Sequence, residues 1–275
     1  MCKFVGKIFE VVLSVFVVLV LVSIIECKVN EFGDNEVGYV FLGNSHIEHA
    51  LNDSLISHKT GIKAINYGAG GQSLFWTVAC AKKLKRQGVK RFVINYDEIS
   101  FTTGYKTFDD YSGRRNLKYY KSFLEIDDWL YLFKIDFRFG VKAILTFPFF
   151  SKSPLGRFTK RKKDFYNGLT KFNRQSEIDC TDNVLVDFIK KNPDLQFYLI
   201  KTPFHESYYK MQKYEHLSSH LRKRQAALSR FENVRIIDFG HYFDGDAMFL
   251  DYSHLNSIGA LWLSEAVAME LNTPK

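Results

Sequence analysis

Short, mainly apolar runs alternate with longer amphipathic ones along most of this chain, and each apolar run stops at a glycine or a charged residue. The runs Tyr39–Leu42, Ile62–Tyr67, Arg91–Tyr96, Leu195–Ile200 and Val234–Phe239 have the length and the aromatic and β-branched content of buried strands. Helical patterns lie between them. The spacing predicts helices over Ile47–His58, Ser73–Arg86, about Glu206–Phe231 and Ser257–Leu271. Ser73 is a plausible cap, and Lys82, Lys83, Lys85 and Arg86 load the carboxyl end of its helix, where cations suit the dipole, before Gly88 stops it. In the last helix Ile258, Leu261, Trp262, Ala266 and Met269 recur at helical spacing. Strands alternating with helices imply a parallel sheet with right-handed crossovers and helices on both faces.

The interval from about Ser100 to Asn192 is too long for a loop in a compact domain and must hold structure of its own. Its first half is aromatic, with Tyr105 and Tyr111 among many, and its middle is a basic run ending in Lys160-Arg161-Lys162-Lys163. We expect a largely helical insertion at about 101–192 that leans over the carboxyl edge of the sheet. The plain alternatives are packing aromatics and a solvated basic loop.

Near the amino terminus, Val11–Ile25 is almost uninterrupted and apolar, and Ile8-Phe9 extend it toward the ~20 residues that span a bilayer. Lys3 and Lys7 precede it, while Glu26, Glu31 and Asp34 follow, so the positive-inside bias keeps the amino terminus in the cytoplasm and puts the body outside. A cleaved signal peptide is the competing reading, though no small-x-small cleavage site follows. The expected organisation is a cytoplasmic tip and transmembrane anchor over 1–27, a tether over 28–37 and an α/β domain over 38–275. A chain of 275 residues, 46% hydrophobic and 25% charged, suits one large domain of this kind. Its net charge of +8 suits an anionic lipid surface or polymer, and the expected topology argues against nucleic acid. Cys2, Cys27, Cys80 and Cys180 show no metal-ligand spacing, and nothing in the sequence calls for a cofactor.

Candidate chemistry collects where the apolar runs stop. Gly43-Asn44-Ser45-His46 places a serine just past the first strand, at the sheet edge where open α/β folds bind ligands. A serine hydroxyl needs a base and an orienting carboxylate, and Asp251-Tyr252-Ser253-His254 offers both from one short loop. His254 is then the general base and Asp251 its orienter. Asn66-Tyr67-Gly68-Ala69-Gly70-Gly71-Gln72-Ser73 supplies a glycine-rich turn whose backbone N–H groups can face a developing oxyanion. Each residue also has a plain reading. Ser45 with Glu48 forms a Ser-x-x-Glu capping box, the glycines make a tight turn, and His46, His49, His205 and His241 are packing or surface residues, with His205 able to reach the pocket edge.

These blocks, in this order, resemble those of the SGNH, or GDSL-type, hydrolase superfamily. The resemblance implies an α/β, three-layer flavodoxin-like sandwich with a five-stranded parallel sheet, and a Ser45-His254-Asp251 triad. It assigns oxyanion donors to Ser45 and Gly71, with Gly70 a neighbouring candidate, and a third donor to an asparagine after the third strand. There the chain departs from the pattern: Asn95-Tyr96-Asp97-Glu98 lacks the preceding glycine, so Asn95 is either that donor or a strand residue. This departure looks like membrane-anchored branches of the superfamily that act on cell-envelope polymers. The implied function is a serine esterase or O-acyltransferase acting on acyl esters, acetyl foremost, of envelope polysaccharide, with a membrane-bound acyl donor as a partner. The alternative is a catalytically silent glycan-binding component on the same scaffold.

Overall fold

Tyr39, Val40, Phe41 and Leu42 are all buried, so β1 (Tyr39–Leu42) has no face to give to water and must lie inside a sheet covered on both sides. The computed structural model describes residues 14, 38–98, 100, 124, 126–135, 182–210, 214–243 and 245–273. In it, β1 joins β2 (Ala64–Asn66), β3 (Arg91–Asn95), β4 (Gln196–Lys201) and β5 (Val234–Asp238) in a five-stranded sheet of order β2-β1-β3-β4-β5. All neighbours are parallel. The order reverses direction between β1 and β3, and Val40, Phe41 and Leu42 pair there with Phe92, Val93 and Ile94.

The period-two alternation of the strands sends side chains to two cores. Val40, Leu42, Phe92, Ile94, Phe197 and Leu199 pack with α3 (Leu74–Arg86), α5 (Asp182–Lys190) and α7 (Tyr214–Leu228). Tyr39, Phe41, Val93 and Ile237 pack on the other face with α1 (Ser45–Ala50), α2 (Asp53–Thr60) and α8 (Ser257–Asn272). Of the predicted insertion, the described parts are Leu124, the helix α4 (Ile126–Ile135) and α5 with the two residues that follow it. Helix α5 belongs to the core, with Leu185, Phe188 and Ile189 buried alongside α3. The aromatic run with Tyr105 and Tyr111, the basic run, Cys180 and, Ser14 apart, the apolar segment Val11–Ile25 lie outside the described residues. Among the described residues no helix is long and apolar enough to cross a membrane.

Several expectations change in three dimensions. The helix predicted over Ile47–His58 is two helices, because Asn66 Nδ2 donates to both Ile47 O and Leu51 O at 2.9 Å and turns the chain out of α1. Asn52 then caps α2, accepting from Leu55 N at 3.0 Å. The helix predicted over Glu206–Phe231 is likewise α6 (Glu206–Tyr209) and α7. In α8 the apolar residues read from the spacing mostly face outward: Ile258, Leu261, Trp262 and Met269 are exposed, and only Ala266 of that set is buried. The helix is apolar nearly all round, so its period does not choose a face. Contact does. Gly259, Ala260, Ser264 and Ala268 are small enough to let it close on α2 and the sheet, and a Cβ on Gly259 would stand 2.4 Å from Met248 O. Ser73 precedes α3 as expected but makes no side-chain capping bond, and Cys80 on α3 is a free, buried thiol.

Gly43 is fixed twice over. Its φ of 149° lies where side chains are strained, and a Cβ there would stand 2.4 Å from Asn95 Cβ. Gly61 is the control, with φ of 66° and nothing within 4 Å of its missing Cβ. Gly43→Ala is expected to lower unfolding stability by more than ~2 kcal/mol and Gly61→Ala by only ~1 kcal/mol, read as the difference between their urea midpoints; equal losses would show that β1 and β3 are not in this contact.

Candidate active site

The first strand ends at Gly43, and the chain turns at once into α1. Asn44, not Ser45, is the cap: its side chain accepts from His46 N at 2.9 Å, and its carbonyl from Ile47 N and Glu48 N at 3.1 Å. Ser45 therefore sits in the first helical turn, with its backbone N–H among the donors a helix start leaves without an internal partner. The capping-box reading fails here because Glu48 is used elsewhere. Its carboxylate accepts from Gly70 N at 2.6 Å, which also occupies the neighbouring oxyanion candidate. The glycine-rich turn is laced to the end of β1: Ala69 N donates to Gly43 O at 2.9 Å, and Gly43 N to Gln72 Oε1 at 3.2 Å. Gly71, at φ of 73°, makes the bend, and Gly68 must lack a side chain because a Cβ would meet Glu48 N at 2.6 Å.

From the far end of the chain, a loop brings Asp251 and His254 to the same place. Asp251 Oδ1 accepts from Ser253 N at 2.9 Å and from His254 N at 2.8 Å, folding the loop around its own carboxylate. The loop closes with Leu250 N donating to His254 O at 2.7 Å and with a bridge between Phe249 and Leu255. Asn256 starts α8 by accepting from Ile258 N at 2.9 Å and Gly259 N at 3.0 Å. His254 Nδ1 then donates to Asp251 Oδ2 at 2.8 Å, and Nε2 lies 2.8 Å from Ser45 Oγ. Ser45, His254 and Asp251 thus form one hydrogen-bonded chain across 209 residues of sequence. Burial pushes the Asp251 carboxyl up, but the hydrogen bond and charge of His254 with the Ser253 and His254 N–H groups outweigh it and hold it at about 2. The carboxylate is anionic at neutral pH, which fixes the proton of His254 on Nδ1 and leaves the Nε2 lone pair for the serine.

His205, at the start of α6 after β4, braces this loop, as its backbone N–H donates to Tyr252 O at 3.0 Å and its Nε2 lies 2.6 Å from Asp246 Oδ1. His241 stacks on Tyr209, with 4.1 Å between ring centroids, and His49 lies 6.1 Å from the His254 ring.

A second set of polar residues is joined by hydrogen bonds around Asp97; of these, the sequence offered Asn95 as a possible oxyanion donor and His46 as a packing or surface residue, and gave Asp97, Ser100 and Thr202 no role. His46 Nδ1 is 2.7 Å from Asp97 Oδ2, with both side chains buried. The same carboxylate receives Asn95 Nδ2 at 2.9 Å, Thr202 Oγ1 at 3.2 Å, and Ser100 N and Oγ at 2.9 Å each. Asn95, the expected third oxyanion donor, is therefore already tied to Asp97 through one of its amide hydrogens. Desolvation raises the Asp97 carboxyl, but the charge and hydrogen bond of His46, with Asn95 and Ser100, hold it at about 2. Next to it Lys201 Nζ pairs with Glu98 at 2.7 Å, and burial still pushes that carboxyl above its ordinary range despite the lysine. One signal for this cluster was in the sequence: two adjacent carboxylates, Asp97 and Glu98, just past the end of β3.

No family model and no curated protein matches this chain. Among solved structures it is similar to a chain from Streptococcus pneumonia, provisionally described as a platelet activating factor. The two share 12% identity over 97% of this chain and 99% of that one, with a TM-score of 0.46, a likeness on which no argument rests.

Both carboxyls titrate lower in the folded chain than at the ordinary 3.8 of an unfolded one. Their stabilisation is complete above pH ~4 and fades as pH falls toward ~2. Asp97→Asn is expected to be less stable than wild type by at least roughly 2 kcal/mol at pH 6, with the gap narrowing below pH 4 in urea titrations. A gap independent of pH would show that Asp97 is not held as a buried anion.

Proposed function

We propose that this chain is a serine esterase or O-acyltransferase of the SGNH type, acting on acyl esters, acetyl foremost, of cell-envelope polysaccharide. The observation that carries the reading is the unbroken sequence of contacts from Asp251 through His254 to Ser45 Oγ, at 2.8 Å for each step. Carboxylate, tautomer-fixed imidazole and hydroxyl in that order are the parts required to make a serine nucleophilic. Ser45 Oγ attacks the ester carbonyl while His254 Nε2 takes its proton, and the negative charge gathers on the carbonyl oxygen. The Ser45 N–H, Gly71 at the turn and the second amide hydrogen of Asn95 are the proposed donors to that oxygen. Collapse of the tetrahedral intermediate returns the proton from His254 to the leaving alkoxide and leaves an acyl-serine. Water or a sugar hydroxyl then attacks, with His254 again as base.

The envelope assignment rests on the sequence. An anchor at Val11–Ile25 followed by a short tether would hold the domain outside the membrane and close to it, where polysaccharide emerges, and a membrane-bound partner would deliver the acyl group. The net charge of +8 suits that surface. One observation favours the silent glycan-binding alternative: Asn95 is shared with Asp97, so one of its two amide hydrogens is unavailable to an oxyanion.

The full-length protein in detergent, given an activated acetyl ester, is expected to form an acetyl adduct on Ser45 that intact mass detects. Ser45→Ala should abolish the adduct, and His254→Ala should slow its formation by about 10³-fold or more. A folded wild-type protein that never forms the adduct would move the reading to the silent alternative.

A further inference from the structure

The last helix leaves large apolar side chains exposed, and the proposed reaction gives them no task. Met269 of α8 is 73% exposed, Ile258 and Trp262 54% and Leu261 45%. With Glu265 they fall within an arc of about 100° around the helix axis, so they form one stripe along it. Glu265 is the charge on that stripe, and Lys59 Nζ lies 3.3 Å from its carboxylate. A contiguous apolar stripe on a surface marks a place where something else binds.

What covers it follows from where the rest of the chain joins the domain. The described parts of the insertion are on the wrong side of the sheet, because Leu124, Trp129 and α5 pack in the core with α3, whereas α8 belongs to the core on the opposite face. The chain before Gly38 is on the right side. Tyr39, the first residue of β1, donates its hydroxyl to Leu271 O at 3.2 Å, so residues 1–37 join the domain beside the last turn of α8. Those residues carry Val11–Ile25, the proposed membrane anchor. A tether over 28–37 spans at most ~36 Å, and α8, with 16 residues, is ~24 Å long. A bilayer that holds the anchor is therefore within reach of the whole stripe.

We infer that α8 lies along the headgroup region of that bilayer, with Ile258, Leu261, Trp262 and Met269 entering its apolar boundary. An indole suits this depth, having an apolar body and a polar N–H. The exposed Lys63, whose carbonyl accepts from Gly38 N at 2.9 Å, adds a cation for anionic headgroups at the point where the tether enters. This rests on the anchor and envelope reading and adds to it the surface that meets the membrane. His254 lies four residues before Ile258, so contact along α8 keeps the triad at the bilayer surface. The acyl esters it meets first are those on glycan still attached to the membrane.

Tryptophan emission from the full-length protein in nanodiscs of phosphatidylglycerol and brominated phosphatidylcholine tests this. Bromine quenches indoles that touch lipid. Trp76 is buried, and Trp129 is half-buried on the opposite face of the sheet, so emission lost in wild type and not in Trp262→Phe belongs to Trp262. That loss is expected, and it is expected to be greater with bromine near the headgroup end of the acyl chain than near its tip. Equal quenching of wild type and Trp262→Phe would mean that protein covers the stripe, a second copy or the chain's own residues, and would overturn the inference. Quenching strongest from the tip would overturn it too. Alkaline carbonate extraction from vesicles reads the anchor separately. Protein that stays in the bilayer with Trp262 unquenched would reject the α8 contact alone. Protein that carbonate releases would reject the anchor, and quenching of Trp262 on brominated vesicles would then decide the α8 contact by itself.

Discussion

A single buried carboxylate fixes the carboxyl edge of this sheet. Asp97 gathers Asn95 and Ser100 from its own segment, His46 from α1 and Thr202 from the loop after β4. An anion with no water around it is tolerable only when several donors surround it, so these segments cannot separate without exposing an uncompensated charge. Because His46 is bound this way, the start of α1 is bound as well, and Ser45 precedes it by one residue. The position of the serine is thus a consequence of an ion-binding problem solved next door.

The glycine contacts apply the same constraint sterically. Gly43 lets β1 turn beneath Asn95, and Gly68 lets the second turn lie against Glu48 N. Three chain segments therefore converge at the switch point between β1 and β3, the place where a parallel sheet opens a crevice. On the opposite side the loop around Asp251 is self-contained, since its carboxylate satisfies the backbone of the residues that follow it. It needs only to be held in place, which α8, the Met248 carbonyl and His205 accomplish. The site is an assembly of one rigid edge and one prefolded loop.

Much of this was legible in the chain. The five strands could be read because each is a short apolar run ended by a glycine or a charge, a local signal that does not depend on distant partners. Ser45, Asp251 and His254 could be read because each stands in a short pattern at the end of an element. The break after Ala50 was not legible, since it depends on Asn66 reaching the carbonyls of Ile47 and Leu51 from another strand. Nor was the inward face of α8, where an apolar helix offers no period and the fit of small residues against α2 makes the choice.

By itself, then, the sequence determined the alternation of strands and helices, the parallel sheet and the identities of the serine, histidine and aspartate. Tertiary structure alone decided that Ser45 Oγ and His254 Nε2, 209 residues apart, stand at 2.8 Å. It alone decided that Asn44 rather than Ser45 caps α1, and that His46, Asn95 and Thr202 share one carboxylate. The reason is physical. Periodicity and turn chemistry act over a few residues, whereas hydrogen bonding to a buried charge is set by whichever donors packing brings within reach.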